Sequence, residues 1–155
     1  MNAMSHAEQA KLWEIVRDIP VALLTTDDDG TLRSRPMVAQ QPTFDGTLWF
    51  FTRRSSHKSI ELGDNYHVNL SYAAPEQNAY VSVSGLAQVV RDPAKQRELW
   101  NDEVARWIPA DPTDDDLALL KVEVQQAEYW NGPATGDAKN RPARRASEQG
   151  KVNFD

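Results

Sequence analysis

Short segments of alternating apolar and polar residues, separated by Asp-Gly pairs, place the strongest limits on how this chain can fold. The pair Asp29-Gly30 precedes the alternating segment 31–39, and a second Asp-Gly pair precedes the aromatic segment 47–51. Such pairs favour tight hairpin turns, because glycine adopts a positive φ without steric cost. Alternation with a period of two is typical of strands that bury one face. The pattern therefore predicts a meander of antiparallel strands.

Further segments complete a predicted α+β protein. The periodicity predicts strands at 21–26, 66–72, 79–90 and 117–130, and helices at 7–16, 59–62 and 92–107. Asp92 suits the N-cap of the last helix, because Pro93 follows it at the first helical position. Gly85 predicts a bulge or bend where the sheet curls. Six strands joined by hairpins, with helices beside them, indicate a curled antiparallel barrel.

The composition is that of one globular domain, and it excludes several classes of protein. The 155 residues include 40% apolar residues and no cysteine, which excludes disulfides, thiol catalysis and cysteine-bound metals. A net charge of −6 argues against nucleic acid as the main partner. No apolar run approaches the roughly 20 residues of a membrane span, and the first residues lack a secretory pattern. We therefore expect a cytoplasmic protein that binds neither membranes nor nucleic acids.

Residues 131–155 differ in composition from the rest of the chain. They contain several glycines and prolines and almost no apolar residue before Val152. Such a segment cannot bury enough apolar surface to offset the entropy lost on ordering. We expect a folded domain over 1–130 and a flexible tail over 131–155, mobile or ordered only against a neighbouring subunit.

A cationic, hydroxyl-rich turn follows the aromatic strand. It contains, in order, Thr52, Arg53, Arg54, Ser55, Ser56, His57 and Lys58. Ser55 or Ser56 suits the N-cap of a short helix, and a helix N-terminus favours anions. The arginine, lysine and hydroxyl side chains add donors for the same anion. Two interpretations stay open: a phosphate site, or a solvated loop with a capped helix.

Two arginines on the segment 31–39 form a second group of cations. Arg33 and Arg35 fall on the same face of the predicted strand. Such a pair is either solvated or directed at a common anion. Metal binding has little support, because the aspartates at 27–29 lack neighbouring ligands and no two histidines have metal-ligand spacing. The sequence assigns no catalytic residue.

The order of these motifs resembles a known family. The motifs are Arg33-Ser34-Arg35-Pro36-Met37, the strand end Phe51-Thr52, the run Ser56-His57-Lys58, the stretch Trp107-Ile108-Pro109 and the pair Tyr129-Trp130. Over roughly residues 5–130 they resemble the FMN-binding split-barrel family of pyridoxamine 5′-phosphate oxidase, and in particular its general stress protein branch. The resemblance implies an antiparallel split β-barrel with flanking helices.

The resemblance also implies a cofactor, an assembly and a set of binding residues. It implies FMN bound between the two subunits of a homodimer. The implied contacts are Arg33 or Arg35, the stretch Pro36, Met37 and Val38, then Phe51, Thr52, Ser56 and Lys58, with Tyr80 from the opposite subunit. His57 stands where the oxidases carry arginine. Trp107 and Trp130 are either core residues or walls of the flavin edge, since aromatic side chains suit a planar ring.

Departures from the oxidases argue against vitamin B6 oxidation. The stretch 38–41 lacks their substrate-phosphate lysine, and no Arg-x-His motif follows Trp130. Glu98 and Asp102 stand where the oxidases place basic and hydroxyl residues, and carboxylates there would repel a phosphate. The leading alternatives are an FMN-dependent oxidoreductase of the stress response and a flavin-binding stress protein without turnover, a carrier or sensor. A flavin-free barrel for another phosphorylated ligand is a third. The electron donor and acceptor stay unassigned.

Overall fold

The computed structural model describes residues 6–38, 41–53, 66–108 and 111–132, and the backbone of 148–153. The helices are α1 (His6–Val16), α2 (Pro93–Leu99) and α3 (Asp102–Trp107). The strands are β1 (Val21–Asp28), β2 (Thr31–Val38), β3 (Thr47–Arg53), β4 (Tyr66–Ala74), β5 (Ala79–Val90), β6 (Leu117–Asn131) and β7 (Glu148–Asn153). The helix predicted at 59–62 lies outside the described residues.

The strands form one antiparallel sheet that closes on itself. Its order is β3-β2-β1-β4-β5-β6-β7, and β3 also pairs with β6, so that β1 to β6 make a ring. The two strands β3 and β6 pair along the whole of Thr47–Arg53. Within the described residues, β2 and β3 pair only at Val38 and Phe51. The sequence-based prediction of an α+β protein, an antiparallel split barrel with flanking helices, is confirmed.

The hairpin between β1 and β2 forms at the predicted Asp-Gly turn. Asp28 pairs with Thr31, and the two residues between them, Asp29 and Gly30, both have positive φ. This is the conformation that a two-residue hairpin requires. The carboxylate of Asp27 also accepts a hydrogen bond from the backbone N–H of Gly30 at 2.7 Å. The register that results places β1 and β2 in contact along their full length.

Gly85 marks the predicted irregularity in the sheet. The pairing of β5 with β6 shifts register between Ser84 and Gly85. A Cβ atom at this position would overlap the carbonyl oxygen of Glu123, so the close approach of the two backbones requires glycine. The shift divides β6 into two parts. The first part pairs with β3 and closes the ring, and the second part, from Gln126 onward, pairs with β7.

The strand β7 falls within the segment predicted as a flexible tail. Its residues Glu148–Asn153 pair with Gln126–Asn131 of β6. Composition did not reveal this strand, because backbone hydrogen bonds to the edge of β6 do not depend on apolar side chains. The strand β6 also continues one residue past the predicted boundary at 130. The division of the chain into a domain and a tail stays a prediction.

Two apolar cores lie on opposite faces of the sheet. The inner core fills the ring and includes Leu24, Phe50 and Leu70, together with Leu12 and Val16 from α1. The outer core lies between the sheet and the two short helices. Its members are Val38, Phe51, Leu99, Val104, Leu117 and Leu119. The helix α1 therefore closes the ring, whereas α2 and α3 cover its outside.

The prediction of one continuous helix over 92–107 is wrong, because the chain makes two. Asp92 is the predicted N-cap, and its carboxylate accepts from the backbone N–H of Lys95 at 3.1 Å. The first helix ends at Leu99, and Trp100 is extended. Asn101 then caps a second helix, accepting from the backbone N–H of Val104 at 2.9 Å. Asn101 is thus a second N-cap inside one amphipathic pattern, and it begins a new helix where a single helix was predicted.

Candidate functional site

The ring of strands has two chemically different ends. At the closed end, α1 leads into the start of β1, and its Leu12 and Val16 join the inner core. At the other end lies the hairpin between β1 and β2. We call this second end the polar end and define it by the side chains of Thr26, Asp28, Arg33 and Arg35.

These four side chains form one connected network. The Nη2 of Arg35 donates to the Oγ1 of Thr26 at 2.6 Å, and the Thr26 hydroxyl donates to Oδ1 of Asp28 at 3.1 Å. The other oxygen of Asp28 lies 3.4 Å from Nη2 of Arg35 and 3.5 Å from Nη1 of Arg33. Both arginines therefore approach one anionic group of the chain itself, the carboxylate of Asp28.

Burial separates the two arginines of the network. The side chain of Arg35 is 23% exposed and that of Asp28 is 21% exposed, whereas Arg33 is 67% exposed. Arg35 is thus a largely enclosed cation, while Arg33 reaches solvent. Partly enclosed charges are screened less by salt than exposed ones. Arg35 therefore sets the electrostatic character of the polar end more than Arg33 does.

The predicted cationic turn is connected to this same end. β3 ends at Arg53, whose Nη1 lies 3.6 Å from Oδ2 of Asp116. β4 begins at Tyr66, and its register with β1 brings that start to the Asp28 end of β1. The segment between these strands thus re-enters the fold at the polar end, whereas it leaves the fold at Arg53, which the register places level with Pro36 of β2. Its predicted site residues Ser55, Ser56, His57 and Lys58 lie outside the described residues.

The stretch after the arginines is brought against the end of β3. Val38 pairs with Phe51, and both side chains are buried in the outer core. Met37 is buried in the inner core, whereas Pro36 is exposed. Backbone groups, rather than the side chains of Met37, Val38 and Phe51, are therefore what this region offers to a ligand.

Two other predicted residues lie near this region. Thr52 is buried at the end of β3. Trp107, at the end of α3, is 52% exposed, and its Nε1 donates to Oε1 of Glu103 at 3.4 Å. An exposed tryptophan beside the outer core does not serve as a core residue. Its role as a wall of the flavin edge stays a prediction.

The last two predicted residues, Tyr80 and Trp130, form a separate group. They are direct cross-strand neighbours on β5 and β6. The paired positions Pro36, Leu23, Ser71 and Ser82 lead across the sheet from β2 to β5. These positions are three strand spacings apart, so about 14 Å separates Pro36 from Ser82 across the sheet. Tyr80 lies two residues further along β5, on the side away from the arginines. One chain therefore does not bring Tyr80 and Trp130 to the arginines.

Sequence reasoning missed Thr26 and Asp28. It treated the aspartates at 27–29 as turn residues only. The available signal was the phase of alternation along β1, since Leu24, Thr26 and Asp28 share a face. The hairpin register adds Arg33 and Arg35 to the same surface. Extending this alternation from β1 across the two-residue turn into β2 would have predicted that the four side chains share one face.

The described residues offer neither a metal cluster nor a membrane-spanning helix. They contain no cluster of three or more histidine, cysteine or acidic residues that could hold a metal ion. No helix among them combines the length and apolar character that crossing a membrane demands.

The fold defines a class of protein, and comparison with known proteins defines the family. A ring of antiparallel strands with a short β2–β3 contact, closed by β3 and β6 and flanked by helices, is a split barrel. The chain belongs to the pyridoxamine 5′-phosphate oxidase-like family, whose family model matches residues 7–141. Within the family it belongs to the general stress protein branch.

Three relatives illustrate this similarity. A general stress FMN/FAD binding protein of Xanthomonas citri is 30% identical, with a TM-score of 0.71 over 88% of this chain and 97% of that one. General Stress Protein 26 of Bacillus anthracis is 24% identical, with a TM-score of 0.66 over 78% and 92%. Protein bli-3 of Neurospora crassa is 28% identical over 119 residues, or 70% of this chain. The match spans 57% of the length of that curated relative.

Proposed function

We propose that this protein binds FMN at the polar end and uses it as a cytoplasmic, FMN-dependent oxidoreductase in the stress response. The observation that carries the proposal is the arginine pair of the network, with Arg35 largely enclosed, at the end of the sheet where β4 begins after the cationic turn. A phosphorylated ligand at this end would meet Arg33 and Arg35 from β2 and, from the turn, Ser55, Ser56, His57 and Lys58.

The donors at the polar end fit a phosphate. A guanidinium has five N–H groups, and the contacts of Arg35 to Thr26 and Asp28 use only its Nη2. The remaining N–H groups suit the paired oxygens of a phosphate. The similar Xanthomonas citri protein is named as binding FMN or FAD, which supports a flavin as the phosphorylated ligand.

We propose further that the binding site is completed by a second copy of the chain. Tyr80 on β5 is separated from the arginines on β2 by two intervening strands, β1 and β4. Tyr80 of the partner subunit would then supply the aromatic contact that one chain does not bring to its own arginines. Closed twofold dimers are the commonest assemblies of soluble proteins. Light scattering at micromolar concentration with FMN present should give the mass of a dimer, and a monomeric mass would exclude a shared site.

Bound FMN would supply the redox chemistry, while the protein binds and orients it and sets the local charge. A flavin-binding carrier or sensor without turnover is the second candidate. It is favoured by one observation: Asp28, the carboxylate of the network, is already in contact with two arginines and is therefore not a free proton acceptor.

Anaerobic reduction by NADH or NADPH separates the two candidates. The FMN-loaded protein should lose the visible absorbance of its oxidised flavin faster than the same concentration of free FMN. Small acceptors added afterwards should restore it. Reduction no faster than that of free FMN with either nucleotide would favour the carrier or sensor. Failure to retain FMN at all would contradict both.

A further inference from the structure

We infer that Asp28 is an internal counter-ion, which competes with the anionic part of the ligand for Arg33 and Arg35 and keeps that ligand exchangeable. The inference rests on the proposed function, because it assigns a role in FMN affinity to a residue that none of the motifs includes. It makes the opposite prediction for the neighbouring residue Thr26.

The contact distances of Arg33 and Arg35 indicate different roles for Thr26 and Asp28. The shortest contact of Arg35 in the network is the 2.6 Å hydrogen bond to the hydroxyl of Thr26. Its contact to the Asp28 carboxylate is 3.4 Å, and that of Arg33 is 3.5 Å. Hydrogen bonds weaken over these distances, whereas the attraction between charges falls only slowly. Thr26 therefore orients Arg35, and Asp28 neutralises charge without fixing the geometry.

The charge balance explains why the carboxylate is present. Two guanidinium groups approach the same carboxylate oxygen, and one of them is largely enclosed. In the ligand-free protein Asp28 offsets their repulsion. A phosphate that binds to these arginines is repelled by the same carboxylate.

A second ion pair follows the same pattern. Arg53, at the end of β3, is paired with Asp116, and both side chains are 36% exposed. In a chain of net charge −6, the arginine that ends β3, just before the predicted cationic turn, is thus also matched by a local aspartate. Binding of a phosphate therefore involves competition with fixed carboxylates, and a ligand held in that way exchanges readily.

Three substitutions in the full chain test the inference by titration with FMN and with riboflavin. Asp28→Asn removes the charge and keeps an oxygen acceptor for Thr26, so FMN should bind about tenfold more tightly. Thr26→Val removes the hydroxyl that orients Arg35, so FMN should bind more weakly. Asp45→Asn changes the net charge equally but lies before β3, on an exposed turn far from Arg53, and should leave the affinity within about twofold. Riboflavin, which has no phosphate, should respond little to any of the three.

Ligand-free stability supplies a second readout. Without FMN, Asp28→Asn should unfold at a lower temperature than the wild type, because two arginines lose their partner. FMN should then raise its unfolding temperature by more than it raises that of the wild type. A purely structural ion pair would instead give weaker FMN binding in both the Asp28 and the Thr26 variants, and that result would overturn the inference.

The outcomes are distinguishable from failure of the proposed function. If the wild type binds neither flavin, the proposed function fails, and pyrophosphate replaces FMN as the probe of Asp28. Tighter pyrophosphate binding by Asp28→Asn would uphold the counter-ion role, and equal or weaker binding would refute it. Should Asp28→Asn not fold, Asp28→Ser, which also keeps an oxygen acceptor, is expected to tighten binding in the same way.

Discussion

At the polar end of the barrel, the Thr26 hydroxyl, the Asp28 carboxylate and the Arg35 guanidinium are linked by hydrogen bonds and ion pairs. At the closed end, the hydroxyl of Tyr72 is buried, and none of the described residues forms a hydrogen bond with it. Where the structure describes it, the closed end is therefore built mainly by packing, and the buried hydroxyl of Tyr72 is tolerated there. The polar end keeps charges that packing does not need, which is typical of a binding site.

A small cavity accompanies Tyr72 at the closed end. Its volume is about 20 Å³, enough for one water molecule. The residues that line it are Trp13, Val16, Arg17, Ile19, Pro20, Gln41, Leu48, Phe50 and Tyr72. Most of this lining is apolar, so the cavity does not alter the contrast between the two ends.

The largest expected effect comes from opening the closed end. Leu12 of α1 is 1% exposed in the inner core. Leu12→Ala should lower the free energy of unfolding by about 2–5 kcal/mol, through lost burial and the cavity left behind. Urea unfolding measures this, with Leu32→Ala, at a position 72% exposed, as a control expected within about 0.5 kcal/mol. A tenfold loss of FMN affinity in folded Leu12→Ala would contradict the claim that packing at the closed end and binding at the polar end are independent.

The next largest effect concerns FMN affinity and the cationic turn. Lys58→Ala should weaken FMN binding by about 1.5–3 kcal/mol, roughly tenfold to a hundredfold, through loss of a charge-assisted contact to phosphate. Lys95→Ala is the matched control, because its Nζ lies 3.0 Å from Glu98 and 5.2 Å from the ring centroid of Trp49. Calorimetric titration with both flavins compares the variants. Wild-type FMN affinity in Lys58→Ala would mean that the turn is only a solvated loop.

The smallest expected effect concerns Tyr72. Burial raises the pKa of its hydroxyl above the ordinary value of about 10. The folded protein therefore keeps its proton above pH 10, while the unfolded chain loses it. Stability from this group is complete below pH 10 and falls by about 1.4 kcal/mol per pH unit above it.

The variant Tyr72→Phe isolates this dependence. It lacks the ionisable group, so its stability should exceed that of the wild type by a margin that grows between pH 10 and pH 11. At pH 7 Tyr72→Phe should already be slightly more stable than the wild type, because the described residues give this buried hydroxyl no hydrogen bond and its desolvation is then not offset. Denaturant unfolding at the three pH values measures the difference. Parallel curves for the two proteins would show that Tyr72 is not enclosed in solution.

Features encoded by local chemistry were predictable from the sequence. The β1–β2 hairpin followed from Asp29-Gly30, the bend from Gly85 and the start of α2 from Asp92. The break between α2 and α3 was not predicted, because apolar spacing continues through it while the cap at Asn101 ends the helix.

Features set by pairing between distant segments were harder to predict. The strand β7 depends on the backbone edge of β6, which composition does not report. In the candidate site, the arginines were found because charges on a strand are conspicuous. Thr26 and Asp28 were not, because their role appears only when the hairpin register places them beside Arg33 and Arg35.

The central claim is that the polar end binds the phosphate of a flavin. The most direct test is paired fluorescence titration of the wild-type protein with FMN and riboflavin, which share the same ring system. One arginine–phosphate contact is worth about 1.5–3 kcal/mol, so FMN should bind at least about tenfold more tightly. The difference should shrink as salt rises. Equal affinity for the two flavins at low salt would contradict the claim.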